Sequence, residues 1–247
     1  MNQADISIWG MTVSEMNSLS RIGLVPTAVR RNIITVMAGE VGGNMSLVFA
    51  GGIKQCWPDF TTSTEGILRV SAFTGLFAQM QSVAPKSYSG AADVPTLMGQ
   101  LAQQMGFTFE NHGVSGSIRD PYLPGTARAQ ALALADAAGI YVVFDDDNGT
   151  MAIVPKTGSR SGIAPTISPL EDMNGYPSYV GPGQIQLVCE YNNQIRFKGK
   201  IVVHNSIVSG ANQTWIVQGF SHELSTRPDG PWFTTIKAGN QYSSATP

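Results

Sequence analysis

Residues 218 to 239 read QGFSHELSTRPDGPWFTTIKAG, packing a histidine, large aromatics and a proline–glycine turn into one short run. Two readings compete: an active site opening at His222–Glu223, or a piece of sheet built to meet another subunit. From Thr214 onward the residues alternate, Trp215, Val217 and Gly219 on one face and Ile216, Gln218 and Phe220 on the other, the period-two pattern of a strand. Arg227-Pro228-Asp229-Gly230-Pro231 is a tight reversal, because proline presets one turn residue and glycine accepts positive φ. Trp232 to Ile236 then returns as a partner strand. His222–Glu223 lacks the second histidine that a zinc-protease helix requires and lies in a strand pattern. The stretch predicts a sheet hairpin, not an active site.

The totals do not decide between the two. The chain has 247 residues, 43% of them hydrophobic, but only 13% charged, about half the usual ~25%. Such a surface is either polar and uncharged or covered by partners, and composition leaves both open. Net charge is −2, which implies no basic face for phosphate backbones and no specific nucleic-acid binding. The uncharged stretch Val70 to Pro85 is too short and too polar to span a bilayer. The first residues, Met-Asn-Gln-Ala-Asp, show no secretory signal, so no membrane anchor is expected. Cys56 and Cys189 stand far apart with no motif around them, which predicts buried free thiols in a reducing compartment.

Along the chain, Ala4, Ile6 and Ile8 alternate as a strand, and Thr12-Val-Ser-Glu15 is a capping box for a short helix carrying Met16 and Leu19, ended by Gly23 and Pro26. Strands follow at Arg30 to Ala38, Met45 to Trp57 and Gly66 to Phe73, with Gly42-Gly43-Asn44 as a turn. Asp93 caps a helix with Pro95 in its first turn, Leu97, Met98, Leu101 and Met105 at helical spacing, and Gly106 as its stop. An alanine-rich helix runs from Ala127 to Ala138. Ile140–Phe144 and Met151–Val154 flank Asp145–Gly149 as a hairpin. Strands are expected again at Gln184–Tyr191, Ile195–Ser206, Thr214–Glu223 and Trp232–Lys237. The implied organisation is a β region with one helix over 1–85, an α/β insert over 86–156, a Gly/Pro-rich linker over 157–183 and a C-terminal β region over 184–247.

Chemical motifs fail one by one. Counted from Asp145, the sixth residue is Thr150 and the twelfth Lys156, so the acidic tip does not match a calcium-binding EF-hand loop. His112, His204 and His222 lack zinc-ligand spacing. Gly113-Val-Ser-Gly116 is one residue short of a nucleophile elbow, and no Lys-Ser/Thr follows the glycines near residue 42 to make a phosphate loop. Glu110 and Asp120 alone are a weak glycosidase pair. No catalytic, cofactor or metal residue is expected; the composition suits a structural or binding module.

Six stretches in matching order resemble the baseplate hub proteins of contractile bacteriophage tails: ADISIWGMTVSEMNSLS; RRNIITVMAGE with SLVFAGGIKQCWPD; SYSGAADVPTLMGQLAQQMGFTFENHGV; DPYLPGTARAQALALADAAGI; MNGYPSY; and SHELSTRPDGPWFTT. They spread from residue 4 over nearly the whole chain. The resemblance implies an α+β, mainly β fold, with tail-tube-like antiparallel β-barrel domains and an inserted small α/β domain. It implies a homotrimer whose pseudo-sixfold ring adapts the hexameric tail tube to the trimeric central spike. The implied partners are the spike, the tube or distal tail protein and other baseplate proteins; the place is the virion baseplate, assembled in the host cytoplasm, with no enzymatic activity. On that footing Trp215, Phe220, Trp232 and Phe233 become candidate interface residues, in strands that help line the ring. Family members carry further strands ahead of the segment that starts here at residue 4, so part of the first barrel is expected to be truncated, supplied by a neighbour or replaced by another pairing. A tailocin or secretion-like injector would give the same local physics. The alternatives are a tail-associated cell-wall hydrolase using Glu110, Asp120 and the histidines, and a glycan-binding tail-tip module using exposed Trp and Tyr.

Overall fold

The computed structural model describes residues 2–20, 32–39, 42–61, 65–75, 83–145 and 149–240. The chain forms two compact units: Met1–Phe109 with Ser117–Leu134 and Phe144–Met151, and Glu110–Gly116 with Ala135–Val143 and Ala152–Pro247. The fold is mainly β, and the larger sheets curl as half-barrels.

The first unit opens with β1 (Gln3–Ile8), α1 (Val13–Leu19), β2 (Ile33–Ala38), β3 (Ser46–Asp59) and β4 (Ile67–Phe73). These strands make an antiparallel sheet in the order β1-β4-β3-β2. Ala4, Ile6 and Ile8 face Ala72, Val70 and Leu68 across the β1–β4 ladder, so the alternation read in the sequence sets one apolar face. α1 starts where the capping box requires: the Glu15 carboxylate accepts from the Thr12 amide at 2.8 Å, and the Glu15 amide donates to the Thr12 hydroxyl at 3.3 Å. The helix exists to deliver Met16, which packs with Cys56, Leu68 and Val70 and with Ile6, Ile8, Ile34 and Ile53. Leu19 does not share that role and stays exposed. Ser20 caps the helix; Gly23 and Pro26, read as its stop, lie outside the described residues.

The α/β stretch holds β5 (Lys86–Ser87), β6 (Ala91–Asp93), α2 (Val94–Met105), β7 (Thr108–Asn111), β8 (Ser117–Arg119), β9 (Tyr122–Leu123), α3 (Ala127–Ala138), β10 (Ile140–Asp145) and β11 (Thr150–Pro155). The Asp93 carboxylate accepts the Thr96 amide at 3.0 Å, and Gly106 ends α2 in the left-handed region at φ 81°. Leu97, Met98 and Leu101 are buried, as their spacing predicts. β10 and β11 form a sheet with β7 in the order β10-β11-β7; positions 146–148 of the acidic tip lie outside the described residues. Two short antiparallel ribbons, β5–β9 and β6–β8, go beyond the sequence reading. Strands of two or three residues are too short to show a period.

The second unit is dominated by β12 (Thr166–Ile167), β13 (Ser178–Gly181), β14 (Gln184–Glu190), β15 (Lys200–Val203), β16 (Thr214–Leu224) and β17 (Trp232–Gly239). Their order is β12-β15-β16-β17-β14-β13, antiparallel except for the parallel β12–β15 pair. The run from Thr166 to Asn174 reaches from one side of this sheet to the other. Its first two residues pair with β15, while Met173 bridges Cys189 of β14 and the Asn174 amide donates to the Val188 carbonyl at 2.8 Å. The enclosed core includes Ile167, Met173, Leu187, Cys189, Ile201, Val203, Trp215, Val217 and Ile236. Burial pushes the Cys189 thiol up to about 12, an inert buried cysteine.

One predicted strand is cut down. Of residues 195–206 only Lys200–Val203 is strand. Lys198 at φ 62° and Asn205 at φ 58° break the extended run on either side. Ile195 is buried at the core as a loop residue. Apolar content there signalled burial, not strand.

A glycine on β3 shows how close the packing is. A Cβ built on Gly51 would lie 2.6 Å from the Phe49 ring and 2.7 Å from the Phe73 carbonyl oxygen. Gly51→Ala should therefore cost about 1–3 kcal/mol in urea denaturation through overpacking. Gly210→Ala, with nothing within 4 Å of the added methyl, should stay within about 0.5 kcal/mol.

Candidate functional site

The β16–β17 hairpin carries the residues that the sequence singled out. Its ladder runs from Ile216 opposite Gly239 to Leu224 opposite Trp232, but Val217 faces Ala238 and Gly219 faces Lys237. Gln218 is therefore an extra residue, a β-bulge. The bulge corrects the face assignment made from simple alternation. Before it, Trp215 and Val217 point into the core; after it, the inward set resumes at Phe220, which packs on the same core instead of lying on the opposite face. Unbroken period two cannot register one inserted residue.

The turn is also assigned differently. The Gly230 amide donates to the Arg227 carbonyl at 3.1 Å, with Pro228 in the first central position. Positive φ falls on Asp229, at 59°, rather than on Gly230. Glycine is needed at 230 for space: a Cβ there would sit 2.5 Å from the Ser225 side chain.

The four candidate interface residues divide by environment. Trp215 is only 4% exposed, and its indole Nε1 donates to the Ala211 carbonyl at 2.8 Å. Phe220 is partly buried against the core. Trp232 is half-buried, its ring edge-on to Tyr191 at 5.7 Å. Phe233, 37% exposed, pairs with Glu223 on the other face of the ladder.

His222 sits among these rings. Its imidazole lies 5.1 Å from both Tyr191 and Phe220, and Nδ1 is 2.9 Å from the hydroxyl of buried Thr234. Loss of water around the ring pushes its pKa from 6.5 down to about 4, so it is neutral at ordinary pH. It is a packed, hydrogen-bonded ring of the hairpin.

The first unit offers a second surface, which the sequence reading missed. Ile33, Met37, Met45 and Leu47 are all exposed, and Met37 faces Leu47 across the β2–β3 ladder. Ile34 packs on the buried face between them, so Ile33 and Met37 belong to the outer side. Among the described residues β2 pairs on one side only, which leaves an apolar edge strand of the kind that partners cover.

The residues weighed for catalysis fall in different places. Asp120, at φ 46°, accepts the Gly90 amide at 2.6 Å and fastens the β6–β8 ribbon. The Glu110 carboxylate accepts from Arg160 at 3.0 Å and contacts His112 at 3.2 Å. Burial alone would raise the Glu110 pKa, but the hydrogen bonds from Arg160 and His112 outweigh it and hold it below the usual glutamate value. His204 is exposed at the end of β15. Among the described residues no group of His, Cys, Asp and Glu has the arrangement of a metal site, and no helix is long and apolar enough to cross a membrane.

Two measurements test this placement. Trp215→Ala should cost about 3–5 kcal/mol in denaturation, while Phe233→Ala should stay within about 0.5 kcal/mol. For His222, the unfolded chain takes up its proton near pH 6.5 and the folded chain near 4. This contribution to stability is complete above pH 6.5 and is lost as pH falls through that window. Wild type should lose about 2–3 kcal/mol more than His222→Gln between pH 7 and pH 4.5, read from urea midpoints.

No protein-family model and no curated protein sequence matches this chain. Its fold does match solved structures. A type VI secretion component of E. coli, described as structurally similar to the T4 bacteriophage tail proteins gp27 and gp5, aligns over 99% of this chain and 72% of its own, with TM-score 0.60 and 11% identity. The 43 kDa tail protein of prophage MuSo2 from Shewanella oneidensis aligns over 97% of this chain and 88% of its own, with TM-score 0.56 and 10% identity. A tail protein from Neisseria meningitidis MC58 covers 78% of this chain and 80% of its own, with TM-score 0.54 and 13% identity. At these identities the likeness is one of architecture: the chain has a mainly β fold in common with phage-type tail proteins and a component of a secretion machine.

Proposed function

We propose that this chain is a structural subunit of a phage tail or a related injection machine, and within it a baseplate hub. Three copies would form a ring adapting the hexameric tube to the trimeric central spike, with the tube or distal tail protein and other baseplate proteins as further neighbours. The observation that carries the reading is fold likeness along nearly the whole chain to a prophage tail protein and to a secretion component described as similar to gp27 and gp5. In this reading the role is mechanical and no catalysis is needed. The place of action is the virion baseplate, after assembly in the host cytoplasm.

The surface suits such a role. Charge is sparse, and exposed apolar groups collect where a neighbour could cover them: Ile33, Met37 and Leu47 on the first sheet, Phe233 and half-buried Trp232 on the hairpin. We assign subunit contact to Trp232 and Phe233; Trp215 and Phe220 support the hairpin from its core side. The organisation carried into the ring is the sequence division 1–85, 86–156, 157–183 and 184–247, the third segment lending β12 and β13 to the last sheet.

Native mass spectrometry of the purified chain, alone and with its spike protein, tests the reading. A trimer, or one that appears on adding spike, is expected. The Trp232→Ala/Phe233→Ala double variant should reduce its population about tenfold or more, the loss typical of an interface hot spot. A monomer under both conditions would overturn the trimeric hub, and an undiminished trimer in the double variant would remove these two residues from its interface.

A further inference from the structure

Beyond the assembly role, and independent of it, we infer that Ser161 is an activated nucleophile in a Ser161–His112–Glu110 relay able to cleave short acyl esters. The Ser161 hydroxyl lies 2.9 Å from His112 Nδ1, and His112 Nε2 lies 3.2 Å from Glu110 Oε2. Hydroxyl, imidazole and carboxylate thus stand in series, the order that general-base activation of a serine requires.

The tautomer is set by a second contact. The Ser161 backbone N–H donates to His112 Nδ1 at 3.2 Å. A nitrogen that accepts an N–H bond carries the lone pair, so the ring proton sits on Nε2 facing Glu110. That lone pair is shared by the Ser161 amide at 3.2 Å and the Ser161 hydroxyl at 2.9 Å, the hydroxyl being the nearer. Arg160 Nη2, 3.0 Å from the same Glu110 oxygen, holds the carboxylate ionised.

The backbone pre-positions these groups. The His112 amide donates to Ile153 of β11 at 3.0 Å, and the Arg160 amide donates to Lys198 at 2.7 Å. Asn111 closes the turn after His112 by bonding both the amide and the carbonyl of Val114 at 2.8 and 2.9 Å. The His112 side chain is only 11% exposed, while Ser161 is open to solvent. Ser161 borders a shallow cleft lined also by Gly113, Ser159 and Lys200. An open cleft suits a small ester carried on a larger molecule, and the Lys200 ammonium supplies positive charge on its wall.

The reaction balances with water alone. Ser161 Oγ bonds to the carbonyl carbon while its proton passes to His112 Nδ1. The C–O bond to the leaving group breaks, and His112 returns the proton to the departing alcohol. Water then attacks the acyl carbon, giving its proton to His112 Nδ1; the bond from that carbon to Ser161 Oγ breaks, the acid leaves, and His112 returns the proton to Oγ. Glu110 does not touch the substrate and acts as a positioning residue.

The test uses the full-length chain, a fluorophosphonate probe read by peptide mass spectrometry, and p-nitrophenyl acetate turnover. The expected result is a single phosphonyl adduct on Ser161, absent in Ser161→Ala, with turnover in that variant falling to the buffer rate. His112→Ala should lower turnover by about 100-fold or more. Ser161→Ala keeps the backbone bond to His112, so unchanged circular dichroism would separate loss of chemistry from loss of fold. Glu110→Gln should shift the pH profile of turnover, a change that a purely structural role would leave absent. No adduct with no turnover above buffer, or an adduct that persists in Ser161→Ala, overturns the inference.

Discussion

The extra residue at Gln218 controls what the long β16 strand can do. A strand shows each face every second residue, so without the bulge Trp215 and Val217 would be buried while Phe220 and His222 pointed outward. With it, the core side continues through Phe220 to the ring pairs around His222. The same strand can then pair with β15 near its start and with β17 along nearly its whole length. The enclosed core, the aromatic cluster and the exposure of Phe233 on the opposite face all depend on that one change of phase.

Much of the fold was legible because local rules were strong. The Thr12–Glu15 box and the Asp93 cap fixed helix starts through side-chain hydrogen bonds, Pro95 suits a first turn through its preset φ, and Gly106 fixed an end through its left-handed φ. Strands long enough to show alternation were found close to their ends. Features arising from tertiary pairing were not: the two- and three-residue ribbons, the placement of 166–174 across a sheet, and the bulge. Ile195 shows the limit well, since a buried loop residue and a buried strand residue look alike in one dimension.

The candidate surface was legible in part. The hairpin was recognised, and Phe233 does present an exposed ring. Trp215 was grouped with it because a tryptophan in a strand carries no mark of which side it faces once a bulge intervenes. The outer strip of Ile33, Met37 and Leu47 went unread because Met37 meets Leu47 only past Val48, an extra residue on β3 that plain alternation does not show. Glu110, Asp120 and the histidines were weighed together as a hydrolase set, without Ser161. The link from His112 to Ser161 joins positions 49 residues apart, a separation that no local motif reports.

The first sheet also imposes an order on biosynthesis. β1 pairs with β4, Gln3 meeting Phe73, while β2, β3 and β4 pair as sequence neighbours. During synthesis β1 is therefore made long before its partner β4 exists. The meander of β2 to β4 can close short loops early, whereas β1 waits for a much longer loop to close and repays that entropy only on docking. Until it docks, the free edge of β4 is open to strands of other nascent chains. Slow synthesis through residue 73, or crowding by other copies, would act on this interval rather than on the finished protein.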